Sequence, residues 1–223
     1  MQTLQNLEIL EIEILELLNS IKVLDALYFG GGTMLRLCHN LNRYSTDLDF
    51  WLDISANSKQ IFQEIRNLLS KNYRLKDSMN KRNTILFELT SSSVNRSLKI
   101  EIRKEQKDFQ WEYKIAFSRF TIKQVLVKAL TLEQMMHNKI EALLSRKIIR
   151  DAFDIEFLLM RGVELPSDKS KLQEAIMVIN NFKERDFKVT LCSILDEQER
   201  KYYLTNKFNL LKEEITKQLN LNR

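Results

Sequence analysis

Cysteine, proline and glycine are all scarce in this chain of 223 residues, with two, one and four copies. The two cysteines, Cys38 and Cys192, form neither a disulfide framework nor a zinc-ligand spacing. No apolar stretch approaches the roughly 20 residues of a membrane-spanning helix, and the acidic segment from Glu8 to Glu16 is unlike a secretory signal. A content of 44% hydrophobic and 29% charged residues is ordinary for a globular protein. We therefore expect a soluble cytoplasmic protein without a membrane segment.

Three of the four glycines are consecutive, at positions 30–32. A chain that uses so little glycine elsewhere needs backbone freedom here, for a positive φ or for a close approach to a ligand. The apolar residues 26–29 before the glycines and the helical spacing after Thr33 predict a strand, a glycine turn and a helix. Such a turn presents backbone N–H groups to an anion, and Thr33 adds a hydroxyl at the expected N-cap position. A tight turn without a ligand is the alternative interpretation.

An acidic pair, Asp47 and Asp49, follows fifteen positions after the last of these glycines. The segment 47–53 alternates apolar and polar residues, which predicts a strand with Leu48 and Phe50 on one face and both aspartates on the other. Side chains two apart on a strand are separated by roughly 7 Å at the backbone. Their carboxylates can therefore converge on Mg²⁺, which prefers oxygen ligands. A solvated strand face is the alternative.

Two sequence blocks together resemble a known family. Gly31-Gly32-Thr33, followed by the segment RYSTDLDF at residues 43–50, resembles the signature of the AbiEii/AbiGii-type toxin nucleotidyltransferases. These form a branch of the DNA polymerase β-like nucleotidyltransferase superfamily. The segments KIEALLSR at residues 139–146 and RDAFDI at residues 150–155 resemble the downstream lysine and Arg-Asp motif of the same family.

The periodicity and the resemblance together predict an α+β fold. We expect a nucleotidyltransferase core over residues 1–120, with a mixed β-sheet flanked by helices. Residues 121–223 should form a mainly helical domain, a C-terminal helical bundle that completes the active site. One helix is predicted over residues 4–19. A second helix, marked by the spacing of Ile61, Ile65 and Leu69, is predicted to end near Asn72. Strands are predicted over 74–77, 84–89 and 97–103, and after residue 120 only 125–127 could form a short strand.

The resemblance implies a third carboxylate on a strand beside the aspartate pair. Residues 98–103 alternate in hydrophobicity and place Glu101 on the face opposite the core, so we assign this role to Glu101. Glu88, in the preceding predicted strand, is the rival. A solvent-facing charge between Lys99 and Arg103 is the other interpretation of Glu101.

A polar stripe is predicted in the second half of the chain. If residues 131–144 and 148–160 form one continuous helix, four polar residues lie along one of its faces and can face a triphosphate. These residues are Lys139, Arg146, Arg150 and Asp154. A solvated face with ion pairs such as Arg150 to Asp154 is the alternative. The resemblance favours phosphate binding for Lys139. Arg43 either contacts the triphosphate or orders the loop before the aspartate strand.

These assignments predict transfer of a nucleoside monophosphate from an NTP. Asp47 and Asp49, with Glu101, should hold two Mg²⁺ ions about 3.5 to 4 Å apart, with Mn²⁺ as an alternative metal. Gly31, Gly32 and Thr33 should cradle the β and γ phosphates. Lys139 should favour the departure of pyrophosphate.

The acceptor is the least determined part of the reaction. The resemblance implies the 3′ end of tRNA, a role as toxin in a toxin–antitoxin or phage-defence system, and a cognate antitoxin as partner. A net charge of +5 and clustered basic residues agree with an anionic acceptor, among them Lys71, Arg74, Lys81, Arg82 and Lys99. A protein or small-molecule hydroxyl is the alternative acceptor, and a non-catalytic nucleic-acid-binding module is the alternative function.

Overall fold

The computed structural model describes residues 2–105 and 107–220. The chain divides into two compact units. Unit 1 comprises the described residues up to Asn40 and those from Tyr44 to Thr131, whereas unit 2 comprises Leu41–Arg43 and the described residues from Leu132 onwards. The predicted fold class is confirmed, because a seven-stranded mixed sheet with helices is followed by a succession of helices. None of the described helices is both long and apolar enough to cross a membrane.

The described residues of unit 1 form three α-helices, a short 3-10 helix (Val23–Ala26) and seven strands. The helices are α1 (Gln2–Ser20), α2 (Gly31–His39) and α3 (Ser58–Asn72). The strands are β1 (Leu27–Gly30), β2 (Asp47–Leu52), β3 (Arg74–Asn80), β4 (Thr84–Thr90), β5 (Leu98–Arg103), β6 (Trp111–Phe117) and β7 (Gln124–Leu130). Their order in the sheet is β3-β4-β5-β2-β1-β7-β6. The β2–β5 and β1–β7 pairs are parallel, and the other pairs are antiparallel.

The two faces of the sheet differ because apolar residues alternate along the strands. One face is buried: Phe29 stacks on Phe50 at a centroid distance of 5.1 Å, and Phe62 of α3 stacks on Phe87 at 5.4 Å. The opposite face carries Asp47 and Asp49, and we call it the carboxylate face. The central strands β2 and β5 therefore each contribute one apolar side to the core and one polar side to this face.

Helices α1 and α2 are joined by buried charges. Glu8 of α1 pairs with Arg36 of α2 (Oε2 to Nε, 2.9 Å) and accepts a hydrogen bond from the Ser118 hydroxyl (2.7 Å). The Arg36 guanidinium also lies over the Tyr44 ring, 4.3 Å from its centroid. Charged groups are buried only when they are paired and hydrogen-bonded. This network therefore fixes the helix that begins at the glycine turn.

Unit 2 is helical. Its α-helices are α4 (Leu132–Arg146), α5 (Ile149–Met160), α6 (Lys169–Asn180), α7 (Glu197–Asn206) and α8 (Asn209–Asn220), with a π-helical turn over Asp186–Leu191 before α7. The rings of Phe153, Tyr203 and Phe208 pack together, with centroid distances of 4.8 and 5.3 Å. The segment Leu41–Arg43 joins this unit through an isolated β-bridge between Arg43 and Leu195.

Several elements differ from the sequence-based expectations. The two predicted helical runs are separate helices and not the one continuous helix on which the polar stripe depends, because Lys147 has a left-handed backbone (φ 54°) that ends α4 before α5 begins. Strand β6 was not predicted, and β7 is longer than the short strand expected at residues 125–127. Both strands belong to unit 1, so the sheet continues past residue 120.

The break at Lys147 yields a stability prediction. A left-handed backbone is costly for a residue with a Cβ atom but not for glycine. We expect Lys147→Gly to raise the free energy of unfolding by about 0.5 to 1 kcal/mol, after the extra entropy of glycine in the unfolded chain is subtracted. Urea denaturation measures this change. Ala142→Gly, inside α4, is the control and should lower the same quantity by about 1 kcal/mol. Destabilisation by both variants would contradict the assignment.

Candidate active site

The pairing of β2 with β5 places a third carboxylate beside the aspartate pair. In this parallel register Asp49 lies opposite Glu101, and Asp47 lies opposite Lys99. Residues in register on neighbouring strands point to the same face, about 4.8 Å apart. Glu88 lies on β4 and pairs with Lys99 of β5. It is therefore two strands from β2, at about twice the distance between neighbouring strands. The register therefore favours Glu101 over Glu88 as the neighbour of Asp49.

The three carboxylates have different local partners. Glu101 accepts a hydrogen bond from Arg103 (Oε1 to Nε, 3.2 Å), and both side chains are partly exposed. The Thr46 hydroxyl lies 3.4 Å from Asp47 Oδ2. Because the Glu101–Arg103 pair is exposed to water, it holds Glu101 only weakly. Asp47, Asp49 and Glu101 all keep partial exposure.

The Asp49 carboxylate lies directly against the glycine turn. Gly31 is the first residue of α2 and has φ +73°, and a Cβ atom at this position would overlap the Asp49 carboxylate. A Cβ atom on Gly30 would overlap the Trp51 ring. Any other residue at either position would therefore have to displace a side chain of β2. The negative carboxylate also lies where the N-terminal end of the α2 dipole is favourable to it.

Thr33 does not occupy the predicted N-cap position. Helix α2 begins at Gly31 with Gly30 as its N-cap, so Thr33 lies in the first turn. Its buried hydroxyl donates a hydrogen bond to the Asp47 carbonyl oxygen at 2.6 Å. This hydroxyl thus joins α2 to the start of β2. The first backbone N–H groups of α2 have no partner within the helix, as at any helix N-terminus.

A buried acid near Asp47 was missed by the sequence-based interpretation. Glu11 of α1 is almost fully buried, and one of its carboxylate oxygens is without a hydrogen-bond partner among the described residues. Burial raises its pKa well above the ordinary value, and the nearby Glu8 and Asp47 raise the pKa further. The alternation of leucine and glutamate in α1 gives no signal that separates Glu11 from the solvated Glu16.

Arg43 of the first block and the basic residues Lys139 and Arg146 of the second block form an ion-pair network within unit 2. Arg43 donates two hydrogen bonds to Asp154, from Nε (2.6 Å) and Nη2 (2.7 Å). Lys139 Nζ lies 2.6 Å from Asp154 Oδ2 and 3.5 Å from Asp151 Oδ1. Arg146 pairs with Asp151 at 2.8 Å. The structure therefore brings Arg43, Lys139, Arg146 and Asp154 into one network.

Burial and ion pairing act in opposite directions on Asp154. Burial raises its pKa, but Arg43 and Lys139 lower it by more, so the net pKa is below the ordinary value. The bidentate geometry of Arg43 agrees with the proposal that this residue orders its loop. Lys139 is buried with its charge directed at Asp154, and its role in binding phosphate stays a prediction.

A metal site is indicated by the type of ligand rather than by present geometry. Among residues 2–105 and 107–220, no group of three His, Cys, Asp or Glu side chains is arranged to hold a metal ion. Nevertheless, Asp47, Asp49 and Glu101 share one face of adjacent strands and supply the oxygen ligands that suit Mg²⁺. The ligand type of these three residues, rather than their arrangement in this structure, therefore suits a divalent cation.

The family is decided by a sequence profile. The profile described as nucleotidyl transferase AbiEii toxin, type IV toxin–antitoxin system, matches residues 16–220. The chain belongs to this family. It is therefore a nucleotidyltransferase of the AbiEii type, an enzyme, and the family relation implies an NTP substrate.

Solved structures resemble this AbiEii-family protein in fold. MenT4, the nucleotidyltransferase toxin Rv2826c of Mycobacterium tuberculosis H37Rv, has a TM-score of 0.57 at 13% identity, covering 96% of this chain and 86% of MenT4. JHP933 from Helicobacter pylori has a TM-score of 0.53 at 19% identity, with 97% and 94% coverage. A second H. pylori protein, described as a putative nucleotidyltransferase, has a TM-score of 0.53 at 18% identity, with 93% and 96% coverage. A search of curated protein sequences finds no significant match.

Gly31→Ala tests the contact between the glycine turn and Asp49. The variant should lose nucleotidyl transfer, because the new methyl group must displace the Asp49 carboxylate, and it should be destabilised by more than the backbone cost of about 1 to 2 kcal/mol. Gly162→Ala is the matched control, since Gly162 also has a positive φ (+81°) but no described heavy atom lies within 4 Å of the place its methyl group would take. The control should show only the backbone cost and normal transfer. Equal loss in both variants would contradict the Asp49 contact.

Asp154→Asn tests the network in unit 2. The substitution leaves two buried cations, Arg43 and Lys139, without the carboxylate that both contact. Removing one partner of a buried ion pair lowers the free energy of unfolding by about 3 to 5 kcal/mol. The folded-state pKa of Asp154 lies below the unfolded-state value of about 4, so its contribution is present at neutral pH and is lost as the pH falls through the folded-state pKa. Urea denaturation at neutral pH measures the change.

The control for Asp154 is Glu197→Gln, which removes the exposed ion pair with Lys201 in α7. That variant should unfold at the same urea concentration as the parent protein, because exposed pairs contribute little. A similar small effect for Asp154→Asn would contradict a stabilising role for the network.

Proposed function

We propose that this AbiEii-family nucleotidyltransferase transfers a nucleoside monophosphate from an NTP to the 3′ end of tRNA in a Mg²⁺-dependent reaction. In this proposal it acts as the toxin of a toxin–antitoxin or phage-defence system, with a cognate antitoxin. The observation that carries the proposal is the register that sets Glu101 beside Asp49, whose carboxylate lies against the glycine turn. The family relation supports the antitoxin.

The reaction exchanges one phosphorus–oxygen bond for another. A hydroxyl oxygen of the acceptor forms a bond to the α-phosphorus, the bond from that phosphorus to the bridging oxygen breaks, and pyrophosphate leaves. Asp47, Asp49 and Glu101 would hold Mg²⁺, or Mn²⁺. When bound, two such ions stabilise charge on the attacking and leaving oxygens. A carboxylate at Asp49 and a glycine at position 31 are both needed for this part of the site.

The glycine turn is the proposed site for the triphosphate. Gly31, Gly32 and Thr33 are the first three residues of α2, so their N–H groups lack partners within the helix and suit β and γ phosphate oxygens. Because the Thr33 hydroxyl already donates to Asp47, we assign only the Thr33 backbone to phosphate binding. The hydroxyl instead holds β2 in place against α2.

The unit 2 network has an ordering role in this proposal. Asp154 accepts hydrogen bonds from Arg43 and pairs with Lys139, and Asp151 pairs with Arg146. The contribution of Lys139 and Arg146 to nucleotide binding and pyrophosphate departure rests on the family resemblance. Ordering of Arg43 also constrains the chain four residues before Asp47.

Transfer RNA as acceptor is supported by charge. The protein has a net charge of +5, and unit 1 exposes basic side chains on α3, β3 and the β3–β4 turn, namely Lys71, Arg74, Lys81 and Arg82. Phosphate contacts by lysine and arginine supply the sequence-independent part of nucleic-acid affinity. NTP and tRNA meet in the cytoplasm, where we place the reaction.

The test is incubation with total tRNA, Mg²⁺ and each labelled NTP in turn. We expect label in tRNA, and Asp47→Asn or Asp49→Asn should lower the rate by at least about a hundred-fold, the usual loss when one preorganised charge is removed. Asp53→Asn is the control, because Asp53 follows the pair along the chain but is held by the Tyr28 and Ser55 hydroxyls. It should keep its activity. Normal transfer in Asp47→Asn or Asp49→Asn would refute the site.

The same assay separates the remaining alternatives. Glu101→Gln should lower the rate strongly, whereas Glu88→Gln, two strands from β2, should not. The opposite result would assign the role of the third carboxylate to Glu88 and not to Glu101. Label found in protein or in a small molecule would identify that molecule, and not tRNA, as the acceptor. If no NTP gave metal-dependent incorporation, the function would instead be that of a non-catalytic nucleic-acid-binding module.

A further inference from the structure

A row of aromatic and basic side chains crosses the carboxylate face next to the three carboxylates. Trp51 lies opposite Arg103 on β5 and opposite Tyr28 on β1. The parallel pairing of Phe29 with Ala129 places Tyr28 beside Lys128 on β7, and Lys128 lies opposite Tyr113 on β6. We call these five residues the aromatic row. Trp51 and Arg103 each follow a carboxylate by two residues, about 7 Å along their strands.

The rings in and beside this row contact one another. Trp111, two residues before Tyr113, has its ring centroid 5.8 Å from Tyr28 and 5.3 Å from Tyr113, and the Tyr113 ring is perpendicular to it. Phe109 packs against Trp51 at 5.6 Å. Trp51 is only 5% exposed, whereas Trp111 and Tyr113 are 37% and 60% exposed. Tyr28, whose ring lies 6.1 Å from that of Phe109, thus links the buried rings to the two exposed ones.

Cations lie over several of these rings. Lys128 Nζ is 5.0 Å from the Trp111 ring centroid and 5.9 Å from that of Tyr28, and Arg103 lies 5.2 Å from that of Trp51. Lys128 also donates a hydrogen bond to the Asp25 carbonyl oxygen, which fixes the ammonium group next to the exposed rings. The Lys128 ammonium group can therefore contact a phosphate, and the exposed rings of Trp111 and Tyr113 can each contact a base.

We propose that Trp111, Tyr113 and Lys128 form a binding site for unpaired nucleotides of a single-stranded nucleic-acid segment. Aromatic rings stack with any base, and neighbouring cations bind the backbone, which together define single-strand recognition. The aromatic row runs from Tyr113 on β6 to Trp51 on β2, two residues from Asp49, so a nucleic-acid segment bound at Trp111 and Tyr113 can extend along it toward the proposed transfer chemistry. The inference deepens the proposed function and rests on a nucleic-acid acceptor, but binding itself requires no transfer.

A protein partner is the competing occupant. Ile115, Phe117 and Leu126 continue the exposed surface along β6 and β7, and Ile115 lies opposite Leu126. Exposed apolar patches of this kind also mark protein interfaces. Lys128, at the Trp111 and Tyr113 end, favours a polyanion there, because an apolar partner would bury its charge.

The test is binding of a short fluorescein-labelled oligouridylate to the full chain, measured by fluorescence anisotropy without NTP. Tyr113→Ala and Trp111→Ala should each weaken binding roughly 5- to 150-fold, the range for loss of one stacking partner. Tyr113→Phe keeps the ring and should bind normally. Lys128→Gln should weaken binding and lower the salt dependence by about one counterion. Circular dichroism verifies that each variant is folded.

Phe117→Ala is the matched control, because Phe117 lies on the same strand and face as Trp111 and is 38% exposed against 37%. It should bind the oligouridylate as the parent protein does. Equal effects of Trp111→Ala and Phe117→Ala, no binding by the parent protein, or tighter binding of the duplex with oligoadenylate would overturn the proposal. Normal RNA binding combined with an altered oligomeric state on size-exclusion chromatography would identify a protein interface instead.

Failure of the proposed function gives a different pattern. Asp49→Asn should abolish transfer and keep oligouridylate binding, because Asp49 is not in the aromatic row. If the parent protein transfers no nucleotide but its RNA binding still depends on Trp111 and Tyr113, only the catalytic proposal is wrong. If transfer to tRNA proceeds while both alanine variants bind normally, only the aromatic site is wrong.

Discussion

The contact between the Gly31 backbone and the Asp49 carboxylate is the constraint on which the rest of the candidate site depends. It requires a positive φ and the absence of a Cβ atom at the first residue of α2. It also requires β2 in antiparallel register with β1, so that Gly30 lies opposite Asp49. The buried pair of Glu8 with Arg36 holds α2 from its other end. Helix, strand and turn are therefore positioned together, and a small shift in one would separate the carboxylate from the helix N-terminus.

Much of unit 1 could be predicted because its central strands follow simple rules. Alternation along residues 47–52 and 98–103 identified β2 and β5, and the concentration of glycine identified the turn before α2. Alternation fixes which side chains share a face but not which strands are neighbours. The choice between Glu88 and Glu101 therefore required the sheet order, in which β5 lies next to β2 and β4 does not.

Other features could not be predicted because long-range contacts determine them. Strand β6 exposes Trp111 and Tyr113 and directs Glu112 and Lys114 toward the helix side, which reverses the usual pattern of apolar inside and polar outside. Lys147 adopts a left-handed backbone without the glycine that normally marks a helix end. Thr33 resembled an N-cap in sequence, but its hydroxyl is used by the Asp47 carbonyl oxygen.

Environment separates acidic residues that look alike in the sequence. Asp154 is fully buried, forms ion pairs with Arg43 and Lys139, and has a lowered pKa. Because these protein cations balance its charge, its carboxylate is not available to a metal ion. Glu11 is also buried but has a raised pKa, because burial disfavours its charged form. Asp47 and Asp49 keep access to solvent on the carboxylate face. A cation can reach only solvent-accessible carboxylates, and among these four acids only the pair on β2 has this access.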